Sequence, residues 1–214
     1  MSQGDDSGYS SLDILRRQRD FGCIQCFLLY NIIMDQERYP TIFHLFSDVF
    51  AKAGVNCVLI GGYAVNYYKV SRQTADVDFL INSEDFEKVS GLLEKEGFKK
   101  DYEQEVFARF VGTGSYLMDV DFMFVDKDTL DKIIKEGKEV SIARQRFRVP
   151  SLNHLIGLKL HAINYNPGIR EYRDLPDIIQ LIRINNLDAK DAGFRDICLK
   201  YGTEGLYNKI LERI

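Results

Sequence analysis

The chain has 214 residues, the size of one full domain or of one domain with a helical appendage. Apolar residues make up 45% and charged residues 28%, a globular profile that excludes wholesale disorder and collagen-like structure. The formal charge is −4 and no window approaches the roughly 18 uninterrupted apolar residues of a membrane span, so a globally basic nucleic-acid footprint and a transmembrane helix are excluded.

Residues 1–37 read as an N-terminal extension. The first twenty are polar, carry acids and lack the order of a signal peptide. Residues 21–34 (FGCIQCFLLYNIIM) are apolar and fit either a docked helix or a strand; exposed, they would suit a homodimer contact. Cys23 and Cys26 form a lone CxxC with no second pair or His–His to complete a zinc site. With Cys57 in an apolar strand and Cys198 in a helical pattern, no disulfide framework emerges, which fits a reducing cytoplasm.

Ile42, Leu45, Phe46, Val49 and Phe50 recur at helical spacing, and Gly54 ends that helix. Val55–Ile60 (VNCVLI) reads as a buried strand. Gly61-Gly62 follows at once, and the next residues (AVNYY) read as a helix. Ala75–Ile81 (ADVDFLI) alternates as a second strand. A helix capped by Asn82 or Ser83 runs to about Glu96, where Gly97 closes it. Glu105–Val111 and Tyr116–Val125 are predicted to form a hairpin across GTGS. A helix starting at Asp126 or Asp128 runs to Ile134, and Val140–Val149 holds one or two strands. After Pro150 only helices are predicted: 152–165 capped by Ser151, 175–184, 188–200 and 203–213. Strands with interspersed helices, then helices alone, make an α/β (α+β) core over 38–150 with a helical region at 151–214.

The chemistry concentrates where the first strand ends. Two glycines there let phosphates approach the backbone, and a helix N-terminus offers them free N–H groups. Asp76 and Asp78 lie two apart on the next strand, so both carboxylates share one face. Paired carboxylates repel and stay ionised most easily around a cation, which points to Mg²⁺ or Mn²⁺. Asp119 and Asp121 repeat the pattern on a later, otherwise apolar strand. Three carboxylates on neighbouring strands can hold two metal ions, a set suited to in-line displacement at a phosphate.

Strand, Gly61-Gly62, Arg72-Gln73-Thr74-Ala75-Asp76-Val77-Asp78 and a third strand Asp together resemble the DNA-polymerase-β-like nucleotidyltransferase superfamily. Within it the chain is most similar to the small bacterial AbiEii-like group of toxins and minimal nucleotidyltransferases. Lys159-Leu160-His161-Ala162, Arg170 and Arg173-Asp174-Leu175-Pro176-Asp177 resemble that group's later segment, departing from it at Arg173, where Lys is usual, and at Pro176. The resemblance spans roughly residues 40–185. It implies a nucleotidyltransferase fold, a mixed sheet flanked by helices, and transfer of a nucleoside monophosphate from an NTP to an acceptor with release of pyrophosphate. Asp76 and Asp78 would bind both metals. Asp121 would be the third ligand, with Asp119 in reserve. Gly61, Gly62, Arg72 and Lys159 would hold the nucleotide. The acceptor would be tRNA, a protein or a small molecule, and a toxin–antitoxin role follows from the resemblance alone.

Other features have plainer explanations. Arg144, Arg146 and Arg148 alternate as on one strand face, fit for RNA phosphates or for a charge-guarded edge. Arg173 and Asp177, four apart, suit a helix-surface ion pair. Tyr63, Tyr67 and Tyr68 could stack on a base or pack in the core. His154 and His161 are too far apart along a helix to share a metal. The rival to an enzyme is an inactive nucleotidyltransferase-fold scaffold that works with a protein partner.

Overall fold

A computed structural model describes residues 39–114 and 117–214. The apolar segment 21–34 and the Cys23/Cys26 pair therefore lie outside the described residues. The chain forms, in order, α1 (Ile42–Ala53), β1 (Cys57–Leu59), α2 (Gly61–Tyr67), β2 (Asp76–Asn82), α3 (Phe86–Lys95), β3 (Phe98–Gln104), β4 (Phe107–Gly112), β5 (Asp119–Val125), α4 (Lys127–Glu136), β6 (Lys138–Ile142), β7 (Gln145–Val149), α5 (Leu152–Tyr165), α6 (Pro167–Ile184), α7 (Ala192–Tyr201) and α8 (Glu204–Leu211). Among the described residues, no helix is long and apolar enough to cross a membrane.

Five strands make a mixed sheet flanked by helices, in the order β1-β2-β5-β4-β3. β2 and β5 run parallel at its centre, and the other neighbours are antiparallel. Alternation divides the sheet's two faces. One face carries Phe79 and Phe122, which are fully buried with Phe46, stack on each other and pack edge-on against Phe50. The opposite face carries Asp76, Asp78, Asp119 and Asp121 at one end. Further along, Leu80 packs with Val58, Ile60, Leu130 and Ile133 beneath α4. Asp78 and Asp121 thus sit at the other end of that face, beside Leu155 and Leu158 of the later helical region.

Several helix starts follow the capping logic of the sequence. Asp126 accepts from the Thr129 amide, Ser151 from His154, Asp191 from Phe194 and Thr203 from Leu206. Gly54 ends α1 in the left-handed conformation at φ 64°, with its amide hydrogen-bonded to the Ala51 carbonyl. Tyr68 donates its hydroxyl to the Pro150 carbonyl, and its own carbonyl accepts from Asn185, which ties the end of α2 to α6.

Three differences from the sequence reading have physical causes. β3 was not foreseen: it is a polar edge strand in which Phe98 is the buried residue, so it shows no alternation. α6 begins at Pro167 and not near Leu175, because Pro at N1 starts a helix without losing a needed hydrogen bond. Pro176 inside α6 frees the Tyr172 carbonyl, and Tyr172 is 86% exposed. Arg144 does not share the strand face of Arg146 and Arg148: it sits with Ala143 in the β6–β7 turn, both at positive φ.

Candidate active site

The Gly-Gly turn is fixed by what lies against it. Gly61 has φ +58°, and a Cβ there would fall 1.9 Å from Asp78 Oδ2. At Gly62 a Cβ would meet Thr74 Cβ at 2.6 Å. Both glycines are therefore required by the close approach of strand β2 and the segment before it. The first glycine makes room for a candidate ligand, and the second for the residue that supports another. Thr74 Oγ1 lies 2.9 Å from Asp76 Oδ1 and 3.1 Å from the Asp76 carbonyl, so its hydroxyl proton is held on Asp76.

In the parallel pair β2–β5, Asp76 faces Asp119 and Asp78 faces Asp121. Asp76, Asp78 and Asp121 each offer an oxygen, and these atoms all lie within 4.8 Å of one another. Asp119 stands outside the cluster. Its carboxylate accepts from Arg109 at 2.8 Å and from the Gly112 amide at 3.3 Å. Arg109, directly across the strand from Asp121, also donates to Asp121 Oδ2 at 3.3 Å.

The electrostatics match a cation-binding set. Burial, then the neighbouring Asp76 charge, pushes the Asp78 carboxyl up. Burial likewise pushes Asp121 up to about 7, against the pull of Arg109 and with further push from Asp78 and Asp76. Asp121 Oδ1 is buried and has no hydrogen-bond partner among the described residues. A buried carboxylate oxygen without a donor, facing two more carboxylates, fits a metal ion with oxygen ligands.

A pocket opens beside this cluster, with Gly61, Asp78 and Asp121 on one side and Lys159, Arg170 and Asp174 of the helices on the other. Lys159 is 6% exposed, and its ammonium donates to Asp174 and Asp177, each at 2.7 Å. Arg72 Nη1 reaches the same Asp177 oxygen at 2.5 Å. The Arg72 backbone is clamped by Asn66, which accepts from its amide at 2.8 Å and donates to its carbonyl at 2.9 Å. Asp177 is thus buried in a network with Lys159 and Arg72, and the expected surface pair with Arg173 does not form.

Thr74, Arg109, Asp174 and Asp177 are site neighbours to which the sequence reading gave no site role. Asp174 and Asp177 carried a local signal, a spacing of three on an apolar helix face. Arg109 carried none, because its partners come from a strand that folds back on it. Tyr63 packs edge-on against Phe43 with its hydroxyl on Met118, and Tyr67 packs against Tyr68. His154 lies half-buried, with Nε2 3.7 Å from Glu136.

A family model described as an uncharacterised nucleotidyltransferase matches residues 36–211. The chain belongs to this nucleotidyltransferase family. The solution structure of the antibiotic-resistance factor ANT(2″)-Ia is similar to it at 14% identity and a TM-score of 0.57, over 80% of this chain and 94% of that one. That likeness shows a shared nucleotidyltransferase fold. The lincosamide antibiotic adenylyltransferase LnuA is similar at 17% identity and a TM-score of 0.46, over 64% of this chain and 92% of that one. An antigenic nucleotidyltransferase-like protein from Paracoccidioides brasiliensis is similar at 15% identity and a TM-score of 0.47, over 78% of this chain and 89% of that one. Neither of these two likenesses is close enough to carry an argument. No curated protein matches the chain.

Proposed function

We propose that this nucleotidyltransferase-family protein transfers a nucleoside monophosphate from a metal-bound NTP to an acceptor hydroxyl or phosphate. The observation that carries the reading is the cluster of Asp76, Asp78 and Asp121, with its unpartnered buried oxygen, at the mouth of a pocket that begins at Gly61. In the reaction the acceptor oxygen bonds to the α-phosphorus, the bond from that phosphorus to the pyrophosphate oxygen breaks, and the acceptor proton is lost to base or solvent.

Residues 38–150 supply the carboxylates and residues 151–214 the facing wall. Asp76 and Asp78 would be shared by two divalent ions, and Asp121 would serve the ion on the acceptor side. When bound, such ions supply activation of the attacking oxygen and neutralisation of the leaving pyrophosphate. The chain's own work is positional. Thr74 sets the Asp76 carboxylate, Gly61 leaves space for Asp78, and Arg109 holds Asp121 from the neighbouring strand. Asp119, spent on Arg109 and Gly112, keeps Arg109 in place. The narrower likeness to the AbiEii-like group rests on the Arg72–Asp78 and Lys159–Asp177 motifs, and a tRNA, protein or small-molecule acceptor are its three alternatives.

The test is heat of binding for each of the four NTPs with Mg²⁺, on wild type and on Asp76→Asn/Asp78→Asn. Wild type is expected to bind at least one NTP in a Mg²⁺-dependent manner. The double variant should stay folded and lose more than the roughly 10- to 100-fold that follows from losing a single supporting partner of a metal ligand. Equal binding by both proteins would sink the reading. No binding by wild type would favour the scaffold alternative.

A further inference from the structure

Two cationic side chains line the pocket beside the carboxylates, Lys159 and Arg170, and the structure gives them different surroundings. Lys159 has a buried ammonium that already donates to two buried carboxylates at 2.7 Å each. An ammonium has three protons, so at most one is left. Moving Lys159 towards a ligand would strand Asp174 and Asp177 without their partner.

Arg170 is different. Its side chain is 41% exposed and makes no hydrogen bond to any other described residue. Its nearest charged neighbour is Asp174 Oδ2 at 3.8 Å, beyond hydrogen-bond reach. That oxygen is itself buried and without a hydrogen-bond partner among the described residues, although the other oxygen of the same carboxylate is taken by Lys159. The guanidinium thus stands beside an acid without being spent on it. It lines the same pocket as Asp78 and Asp121, on the wall across from them.

We propose that Arg170 is the phosphate-contacting residue of this pocket, and that Lys159 is a positioning residue that holds α5, α6 and the Arg72 segment together. This assignment rests on the nucleotidyltransferase reading. A triphosphate brings several negative charges to a pocket that already has three carboxylates. The bound metal ions answer part of that charge, and a cation from the opposite wall must answer more. A guanidinium suits the task because its planar fork meets two phosphate oxygens at once, and it stays charged at any working pH. Asp174 keeps the arginine near the pocket while no phosphate is present.

Calorimetry on the Mg²⁺ complexes of the tri-, di- and monophosphate of the best-bound base separates the assignments. Arg170→Gln should weaken triphosphate binding about 10- to 100-fold, the worth of charge-assisted hydrogen bonds to one phosphate group. The loss should shrink with each phosphate removed from the ligand. Arg170→Lys should recover part of the affinity, and the melting temperature should stay within about 2 °C of wild type, as for other exposed substitutions. Triphosphate binding by Arg170→Gln within twofold of wild type would overturn the assignment. So would an equal loss for the tri- and monophosphate, which would make Arg170 a support of the pocket wall. Wild type that binds no nucleotide would overturn the nucleotidyltransferase reading and this inference with it.

Discussion

Lys159→Ala is expected to destabilise the fold by about 3–5 kcal/mol, the usual result of removing one partner from a buried ion network. The network begins in sequence spacing. Asp174 and Asp177, three apart, share a face of α6, and α5 presents Lys159 to that face. All three are buried, at 6%, 4% and 8% exposure for Lys159, Asp174 and Asp177. Removing the ammonium leaves Asp174 to the distant Arg170 and Asp177 to Arg72 alone. For a chain of this size the loss corresponds to a fall in melting temperature of roughly 6–20 °C. Lys159→Met with Asp174→Asn and Asp177→Asn removes the three buried charges together and leaves Arg72, whose side chain is 23% exposed, to solvent. That triple variant is expected to recover most of the lost stability, since a paired network contributes little net energy against a neutral replacement. A melting temperature for Lys159→Ala equal to that of wild type would show that the acids do not depend on Lys159.

The metal-free protein should lose stability as pH rises from about 4 to 7, and Mg²⁺ should restore it. Asp121 is the main cause. Its folded carboxyl titrates near 7, above its unfolded value, so the native state holds a proton that the unfolded state has released. Stability from this group is full below the unfolded value and falls away up to about pH 7. Asp78, pushed up by burial, acts in the same direction. His154 works the other way: burial lowers its titration, so the native state binds its proton less well and stability rises with pH up to its ordinary value near 6.5. The Asp121 contribution is therefore read as the difference between wild type and Asp121→Asn. In thermal melts without metal, Asp121→Asn should gain on wild type by a few degrees between pH 5 and pH 8. Saturating Mg²⁺ should raise the wild-type midpoint at pH 8 by more than at pH 5, and raise that of the variant, which keeps Asp76 and Asp78, by less and with no such pH dependence. A Mg²⁺ response independent of both pH and Asp121 would contradict this account.

The carboxylate half of the candidate site was legible because its determinants are local. Gly61-Gly62 after an apolar run, and acids two apart on two strands, need only the geometry of a turn and the period of a strand. The sequence reading left Asp119 and Asp121 as alternatives because both point to the same face. Their register with Arg109 and Gly112, which comes from the β4–β5 pairing, distinguishes them. The helical half was less legible. Lys159 suggested a phosphate ligand or a snorkelling side chain, and its buried partners are set by how α6 packs on α5. The sequence reading started this helix at Leu175, yet α6 begins at Pro167 and runs through Pro176, because tertiary packing of Leu175, Ile178 and Ile182 outweighs one lost hydrogen bond. β3 lacked a pattern because an edge strand with one buried residue has no second face to declare.

The most direct measurement is Mn²⁺ uptake by electron paramagnetic resonance, with and without NTP, on wild type and on Asp76→Asn/Asp78→Asn/Asp121→Asn. The account predicts that wild type removes the free Mn²⁺ signal at sub-millimolar to millimolar concentrations, more strongly with NTP present, and that Mg²⁺ competes. The triple variant, folded by circular dichroism, should lower the signal no further than the same solution without protein. Equal uptake by the two proteins, or none by wild type even with NTP, would contradict the claim that these three carboxylates form the metal site of this protein.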